Sequence, residues 1–380
     1  MDSIKSIYNN MSDMSKTLIK ILLGILAGLA AILVIVLIVK VTVGTKGDYS
    51  YVEDVMKKAA VDYYEDNSKD LPADGQTVSI EVGQLVADEY MKSLTKYFGE
   101  DTTCNGEVNV VNNNDNYAYL PNLDCPGKYT TKTLYNAILE NNSDAVDSDG
   151  LYLNDDGDYI FKGEYVNNHL VFGENNYRIL RINSDGTIRI LITEPLKNYR
   201  RSVYDDRYNV QKEDSSGIND FAKSRIREEL DKIYNDNDEF NSDQRALIMK
   251  QDLCIGKRGE EDIAIESDIE CSDVYEGQYL GLMSASEYNL PSLDSNCKNI
   301  TDESCLNYNY MMSIDGDFWS STPVKENSYE VYRVSALPYP SRAASSANVL
   351  FTINLSDMTQ ITGGNGSEEE PFIVKLPDSK

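Results

Sequence analysis

The longest apolar run of the chain predicts a membrane-spanning helix near its N-terminus. Residues 21–39 carry no polar side chain, Lys20 and Lys40 bracket them, and Val41, Thr42 and Val43 extend the run. At a rise of 1.5 Å per residue, such a run is about as long as the hydrocarbon core of a bilayer is thick. No Ala-x-Ala pattern of a signal-peptidase site follows the run. We therefore expect an uncleaved single-pass anchor over residues 21–43 that contacts the lipid bilayer.

The cysteines decide the orientation that we predict for this anchor, because basic residues flank it on both sides. All six follow the anchor: Cys104, Cys125, Cys254, Cys271, Cys297 and Cys305. An even number of cysteines on one side of a membrane indicates disulfides in an oxidising exterior. We expect residues 1–20 to be a cytoplasmic tail and the region after the anchor to be extracellular.

Small residues within the anchor suggest a packing face. Gly24 and Gly28 are four residues apart, a spacing that lets two membrane helices approach closely. This pattern predicts a homo-oligomer formed through the membrane helix. The alternative is the ordinary glycine content of membrane helices.

The pattern after the anchor predicts a small α/β module over residues 48–128. Apolar residues recur at helical spacing from Tyr49 to Tyr64, which indicates an amphipathic helix. Val78 to Val82 alternate as a short strand does, and the spacing from Gln84 to Tyr97 predicts a second helix.

A β-hairpin completes this predicted module. Two valine- and tyrosine-rich segments flank an Asn-rich turn at residues 112–116, and Cys104 and Cys125 lie at equal distances from that turn. We expect these cysteines to form a cross-strand disulfide. The order of membrane helix, amphipathic helix and closed hairpin resembles the layout of type IV pilin-like and pseudopilin proteins, although their Gly-Phe cleavage site and following Glu are absent around residues 17–22. The resemblance implies a subunit of a pilin-like or secretion assembly.

The remaining pattern predicts a larger, loop-rich antiparallel domain over residues 151–376, so that the fold class is α+β. A helix over 131–142 and an Asp-rich stretch form a helix and linker at residues 129–150. Strand patterns follow at 159–173, 177–182 and 187–192, and then a surface helix at 224–234. Cys254 with Cys271 and Cys297 with Cys305 are the pairings adjacent in sequence, but four cysteines allow three connectivities and the sequence leaves the choice open.

Several motifs of this domain carry a family resemblance. They are Tyr159-Ile-Phe-Lys-Gly-Glu, Asn167-Asn, Leu280-Gly-Leu-Met-Ser-Ala-Ser-Glu-Tyr, Phe318-Trp-Ser-Ser-Thr and the closing run Thr362-Gly-Gly-Asn-Gly-Ser-Glu-Glu-Glu-Pro-Phe. This set resembles membrane-anchored surface proteins of Gram-positive bacteria whose terminal module is of the DUF6273 type. The Trp-Ser-Ser run also resembles C-type-lectin-like folds and their formylglycine-generating oxidase relatives, which implies a C-type-lectin-like domain.

The net charge and the oxygen-bearing side chains limit the classes of partner and cofactor that we expect. The formal net charge is -28 and the pI is about 4.3, whereas nucleic-acid binding needs clustered Lys and Arg. We therefore expect no nucleic-acid partner. Asn154, Asp156 and Asp158 alternate as the ligands of calcium loops do, but the Gly and Glu of an EF-hand do not follow. We expect no cofactor, with Ca²⁺ at these three residues as the alternative.

Aromatic residues near the C-terminus are the candidate ligand site. Trp319, Phe318, Tyr329 and Tyr332 predict an aromatic platform for a sugar or peptide, and the alternative is a core tryptophan with ordinary neighbours. His169 is the single histidine, and we expect a structural or surface role for it. A redox enzyme related to the oxidases would need two free or labile cysteines.

Together these patterns predict a single-pass cell-membrane protein whose exterior binds an unknown surface glycan or protein, as in adhesion. We expect it to be non-enzymatic, because the sequence contains no complete catalytic motif. The assembly subunit and the extracytoplasmic oxidase remain the alternatives.

Overall fold

A computed structural model describes residues 48–142, 145, 147–265 and 268–377. The predicted tail, the anchor at residues 21–43 and its glycines Gly24 and Gly28 lie outside this set. Within the described ranges, no helix is both long and apolar enough to cross a membrane. The fold is a mixed α+β arrangement made mostly of sheets.

The helix that follows the anchor packs by one apolar face. Helix α1 spans Tyr49–Asp66, and the Asp48 side chain caps it by accepting a hydrogen bond from the Tyr51 amide. Val52, Met56 and Ala60 are buried at the helical spacing that the sequence shows. The predicted amphipathic helix is confirmed, and its apolar stripe faces a sheet rather than solvent.

That sheet has four antiparallel strands in the order β1-β2-β3-β4. The strands are β1 Thr77–Glu81, β2 Asn105–Asn113, β3 Asn116–Cys125 and β4 Tyr129–Thr130. Asn114 and Asp115 form the hairpin turn with φ angles of 53° and 60°, as a type I′ turn requires. A disulfide joins Cys104 and Cys125 across the hairpin. The predicted hairpin and its disulfide are confirmed.

The single helix predicted over Gln84–Tyr97 is wrong. Two short helices stand in its place, α2 Val82–Ala87 and α3 Thr95–Phe98. The chain leaves the first helix at Glu89, whose φ of 66° lies in the left-handed region. Leu85, Met91 and Leu94 all enter one apolar cluster, but a turn brings them together instead of one helical face.

The described residues after β4 form four more helices and sixteen strands, most of them in the predicted domain over residues 151–376, which we call the distal domain. The helices are α4 Leu134–Asn141, α5 Arg225–Asn235, α6 Ser242–Leu247 and α7 Ala285–Asn289. Short 3₁₀ helices lie at Ser68–Asp70 in the first module and at Phe221–Lys223, Asp268–Ser272, Glu303–Leu306 and Tyr310–Ser313 in the distal domain.

The distal strands follow in chain order. They are β5 Gly150–Leu153, β6 Tyr159–Lys162, β7 His169–Phe172, β8 Asn175–Ile182, β9 Ile188–Ile192, β10 Arg201–Val203, β11 Ile248–Met249, β12 Gln251–Cys254, β13 Val274–Gln278, β14 Phe318–Pro323, β15 Glu330–Val334, β16 Pro338–Arg342, β17 Ser346–Asn348, β18 Thr352–Leu355, β19 Ile361–Gly363 and β20 Phe372–Val374. Nine of them form one sheet along β11-β18-β9-β8-β7-β20-β19 with β5 and β6 attached; a second sheet runs β10-β17-β14-β15-β16, and β12 pairs with β13.

The predicted strands and surface helix of the distal domain are confirmed. Strand β9 is buried along its whole length, as its unbroken apolar run indicates. In α5, Ile226, Leu230 and Ile233 are buried on one face, and the Ser224 side chain caps the helix by accepting the Arg227 amide. The short helices α6 and α7 escaped the sequence analysis, because six and five residues show no periodicity.

The remaining disulfides join Cys254 to Cys271 and Cys297 to Cys305. Both are the pairings adjacent in sequence. No cysteine of the chain is free, since all six lie in the described ranges.

The two modules pack against each other through the second face of the four-stranded sheet. Val111, Ala118 and Leu120 of that face join the distal core. The Asn113 side-chain amide donates to the Ala246 carbonyl at 2.7 Å, and Lys250 pairs with Asp74 at 2.8 Å. The segment between the modules is also part of the core, because Leu134 and Ile138 of α4 are buried there.

Candidate functional site

The structure places the predicted aromatic platform inside the protein. Trp319 and Phe318 are fully buried and Tyr332 nearly so, while the half-buried Tyr329 ring lies under the Lys212 ammonium at 4.5 Å. Every residue of β14 is buried. Strands β15 and β17 pair with its edges, and Phe318 and Trp319 on its faces belong to the core cluster. The rings fill the core, and the platform prediction is corrected: these residues offer no shared aromatic surface to a ligand.

Trp319 also has its polar atom satisfied internally. Its indole N–H donates to the Ser202 carbonyl at 3.0 Å, and the Tyr204 ring meets it edge-on at 5.6 Å. A buried tryptophan with its one donor paired is a packing residue. The alternative interpretation, a core tryptophan, describes its environment.

The three residues predicted as calcium ligands form the turn between β5 and β6. The Asn154 side-chain oxygen accepts the amides of Asp156 at 3.1 Å and Asp158 at 2.8 Å. One Asp158 oxygen accepts the Ser184 amide at 2.8 Å. Hydrogen bonds to the backbone therefore engage the side-chain oxygens of Asn154, which forms an Asx turn, and of Asp158. Among the described residues, no group of three His, Cys, Asp or Glu side chains is placed to hold a metal ion.

A cleft elsewhere in the distal domain has the features of a binding site. It has a volume of about 740 Å³, and residues of three segments line it, 164–169, 306–313 and 367–369, together with Arg178. Two tyrosines on its edges are exposed to an unusual degree, Tyr165 by 80% and Tyr308 by 58%. We call this site the tyrosine cleft. Exposed aromatic side chains beside a cavity of this size are typical of ligand sites.

Hydrogen bonds between the surrounding segments fix the position of Tyr308. The Tyr310 amide donates to the Gly163 carbonyl at 2.7 Å, and the buried Asn309 side chain donates to the Cys305 carbonyl at 3.0 Å. Cys305 itself is held by the disulfide to Cys297. Tyr308 has a φ of 50°, a costly conformation for a bulky residue that the surrounding structure must hold in place. The loop is built so that Tyr308 is held at the surface.

The Gly-rich closing run forms another wall. The His169 amide donates to the Gly366 carbonyl at 2.9 Å, and β20 pairs in parallel with β7. Gly366 has a φ of 83°, and a side chain there would collide with the Asn167 carbonyl and the Phe372 ring. The motif that carried the family resemblance thus positions Glu368 and Glu369 at the cleft.

A buried arginine lies at the base of the cleft. Arg178 is only 6% exposed, and its Nε donates to the Asn168 side-chain oxygen at 2.6 Å. Its guanidinium lies over the Tyr310 ring at 4.9 Å, and a long contact of 3.4 Å joins Nη1 to the Ser313 hydroxyl. Among the described residues, no carboxylate lies within ion-pairing distance of Arg178. Burial lowers the pKa of this guanidinium, although an arginine stays charged.

Histidine 169 is the cross-strand neighbour of this arginine. His169 on β7 stands opposite Arg178 on β8 in the antiparallel register, so the two side chains share one face of the sheet. Burial and the positive charge of Arg178 lower the His169 pKa to about 4, against the opposing effect of Glu368 and Glu369. The imidazole is therefore neutral at physiological pH. The predicted structural or surface role did not include this place in a cleft.

The rim of the cleft carries the opposite charge. Glu164, Glu368 and Glu369 are exposed and line the cleft, and none has an ion-pair partner among the described residues. A cationic base beneath an anionic rim gives the cleft a charge gradient from inside to outside. The oxygens of the rim accept hydrogen bonds, and the remaining N–H groups of Arg178 donate them.

A partial sequence signal for this site existed. Asn167, Asn168 and the closing Gly-rich run belong to the motifs quoted for the family resemblance, and Arg178 follows within ten residues. Nothing in the pattern shows that Tyr165 and Tyr308, far apart in the chain, stand on two sides of one cavity. Their function has to be inferred from this geometry. No protein-family model, curated protein or solved structure matches the chain.

Proposed function

We propose that this chain is a membrane-anchored bacterial surface protein that binds a ligand in the tyrosine cleft without catalysing a reaction. The observation that carries the proposal is the pair of exposed tyrosines, Tyr165 and Tyr308, above the buried Arg178. Tyrosine and arginine are the residue types that contribute most to binding energy at protein interfaces. The anchor at residues 21–43 holds the cleft at the cell surface in this proposal.

The proposal includes a C-type-lectin-like fold of the DUF6273 type for residues 151–376. The Trp319-Ser-Ser run on a buried strand, the loops held by two disulfides and the closing run beside the cleft support it. Calcium-dependent lectins bind sugar through a Glu-Pro-Asn and a Trp-Asn-Asp triplet. In this chain Ser320 and Ser321 follow the tryptophan instead. The ligand would bind at the tyrosine cleft instead of at a calcium ion.

Two observations favour binding over catalysis. All six cysteines are disulfide-bonded, whereas the oxidase alternative requires a reactive thiol. Within the described residues, no serine, threonine or cysteine makes a hydrogen bond to the His169 ring, as a nucleophile activated by that histidine would.

The test is a binding screen of the full-length chain in lipid nanodiscs. Glycans, cell-wall fragments, peptides and surface proteins are offered with calcium and with chelator. We expect at least one specific ligand, bound equally in both conditions. Tyr165→Ser and Tyr308→Gly should each weaken it about tenfold, the effect of losing one aromatic contact of a binding site. Glycine suits position 308 because it adopts the φ of 50° without strain.

The matched control is Tyr208→Ser. Tyr208 is 59% exposed, as Tyr308 is, and does not line the cleft. Its replacement should leave binding unchanged. If no ligand binds the folded protein, or if binding tolerates both cleft replacements, the proposal is wrong.

A second candidate is a structural subunit of a pilin-like or secretion assembly. It is favoured by α1 packing on one face of a four-stranded antiparallel sheet that a disulfide closes. In this case Gly24→Leu with Gly28→Leu should abolish cross-linked oligomers in membranes, because the small residues allow close helix packing. Ala30→Leu, away from that face of the helix, is the control. A monomeric wild-type chain would contradict this candidate.

A further inference from the structure

The charges of the tyrosine cleft narrow the chemistry of its ligand. Three arginines of the described chain are almost completely buried, Arg178, Arg189 and Arg258. Arg189 lies 2.6 Å from Glu287 and Arg258 lies 3.2 Å from Glu270. Arg178 has no such partner within the described ranges. Glu368 acts on the Arg178 charge only from beyond ion-pairing distance. Because a buried charge is costly unless it is paired at close range, a direct counter-charge is expected from outside the chain.

The hydrogen bonds of Arg178 leave suitable donors free. Asn168 occupies Nε, and Asn168 is itself fixed because its amide donates to the Ile179 carbonyl at 2.8 Å. The other end of the guanidinium has one long contact to Ser313. The pair of terminal nitrogens is therefore available to a carboxylate, which an arginine binds through two parallel hydrogen bonds.

The rim excludes ligands that are only anionic. Glu164, Glu368 and Glu369 line the same cleft without ion-pair partners among the described residues, and the whole chain has a net charge of -28. A polyanion would be repelled by this field. A purely cationic ligand would leave Arg178 unpaired. A ligand that carries one negative and one positive charge can pair with Arg178 and with the rim glutamates at the same time.

We propose that the tyrosine cleft binds a zwitterion, namely a short peptide whose terminal carboxylate pairs with Arg178 and whose ammonium group lies among the rim glutamates. The two tyrosines then contact the body of the peptide. This inference rests on the proposed function, since it assigns a ligand class to the same cleft. It adds the requirement for two charges of opposite sign in one small molecule.

Calorimetry with capped peptides tests the two charges separately. The full-length chain in nanodiscs is titrated with a mixed library of free dipeptides and tripeptides, with the same library N-acetylated, and with the same library C-amidated. Free amino acids form a further arm, which shows whether a peptide bond is needed. We expect each cap to weaken binding about tenfold or more, because each removes a charge-assisted hydrogen bond.

Variants assign each charge to its partner. Arg178→Gln should remove the discrimination against the C-amide and keep the discrimination against the N-acetyl group. The double variant Glu368→Gln with Glu369→Gln should show the reverse. Arg342→Gln and Glu174→Gln, exposed residues outside the cleft, are the matched controls. Should Arg178→Gln not fold, Arg178→Lys keeps the charge and loses only the paired donors, so weaker discrimination against the amide is expected.

The single histidine reports whether the carboxylate reaches Arg178. Arg178, Glu368 and Glu369 are the charges that act on His169. A bound carboxylate would offset the charge of Arg178 and raise the His169 pKa, as followed by NMR titration. Equal affinity for free and capped peptides, or an unchanged His169 pKa in saturated protein, would overturn the inference. If some other ligand still binds through Tyr165 and Tyr308, the proposed function survives; if nothing binds there, both fail.

Discussion

Two regions of the distal domain treat a buried arginine in opposite ways. Around helix α7, Arg189 donates through Nε to Glu287 at 2.6 Å, and Arg181 donates to the same carboxylate at 3.1 Å. In the tyrosine cleft, Arg178 is almost as deeply buried, but its hydrogen-bond partners among the described residues are one amide oxygen and one distant hydroxyl, and its guanidinium lies over the Tyr310 ring. The first region encloses its charges and satisfies them, whereas the second leaves one charge open to a cavity.

The difference separates stability from function. Paired charges that the fold encloses are destabilising to break, because removing one partner leaves the other uncompensated. A charge that the fold leaves unpaired reduces stability and is retained where a ligand uses it. The region around α7 should therefore respond to mutation by unfolding, and the cleft by losing its ligand.

The largest effect is expected for Glu287→Gln. The carboxylate pairs with Arg189 and Arg181 and accepts the Ser284 amide at the start of α7. Its neutralisation leaves Arg189 buried without a counter-charge, which should lower the free energy of unfolding by about 3 kcal/mol. Urea denaturation measures this. In the control variant Glu369→Gln, on the exposed rim, the free energy of unfolding should stay within about 0.5 kcal/mol of the wild-type value. Similar losses of stability in both variants would contradict the difference between the two regions.

Acid should remove the same contribution reversibly. Burial disfavours the Glu287 charge, but Arg189 and Arg181 outweigh burial and hold its pKa at about 2, below the ordinary value of 4.5. Because the folded pKa is the lower one, this stabilisation is complete above pH 4.5 and is lost as the pH falls toward 2. The slope of unfolding free energy against pH in that window should be smaller in Glu287→Gln. An unchanged slope would show that Glu287 is not the titrating group.

Trp319→Phe should cost about 2 kcal/mol of stability without affecting the cleft, since a smaller ring leaves a cavity in the core. It also leaves the Ser202 carbonyl without the indole donor. Thermal unfolding measures the loss, and ligand binding by the folded variant measures the cleft. Weaker ligand binding by a fully folded Trp319→Phe protein would indicate that Trp319 contributes to the ligand site after all.

Arg178→Gln should change the unfolding free energy by only about 1 kcal/mol in either direction. The glutamine amide can still donate to Asn168, and the desolvation cost of the charge disappears. Urea denaturation beside Glu287→Gln gives the comparison directly. A loss as large as that of Glu287→Gln would mean that Arg178 is a structural charge with a partner in the fold.

The smallest expected effect is a change in the pKa of His169. In Arg178→Gln the His169 pKa should rise from about 4 toward its ordinary value, because the neighbouring positive charge is gone. Glu368→Gln should lower it further, since that carboxylate favours the imidazolium. NMR titration of a ¹³C-labelled histidine resolves both changes without assignment, because the chain has one histidine. Identical titration curves in all three proteins would place these side chains farther apart than the register indicates.

Local patterns explain which parts of the fold could be predicted. Helices α1 and α5 have long apolar stripes, and the hairpin has an Asn-Asp turn flanked by β-forming residues and by equally spaced cysteines. The helix over Gln84–Tyr97 failed because its apolar residues have helical spacing but are buried through a turn at Glu89. Apolar periodicity indicates which residues are buried, but it does not determine which backbone conformation buries them.

The candidate site divides in the same way. The family-like motifs marked the closing run and the asparagines before His169. The prediction of an aromatic platform was wrong because adjacent Phe and Trp residues give the same sequence pattern on an exposed surface and on a strand that is buried on both faces. The cleft joins three segments that are about 60 to 200 residues apart in the chain, and its tyrosines are distinguished by exposure alone.

The sequence by itself determined the hairpin, the disulfide that closes it and the alternation of the long strands, and it supplied the expectation of an anchor and an exterior region, because each depends on residues close in the chain or on composition. Only the tertiary structure decided that Trp319 fills the core and that Asn154 builds a turn. It also decided that Arg178 lacks an acidic partner among the residues described, while Arg189 and Arg258 have one. Burial and pairing are properties of neighbours brought together by folding, and a linear pattern does not contain them.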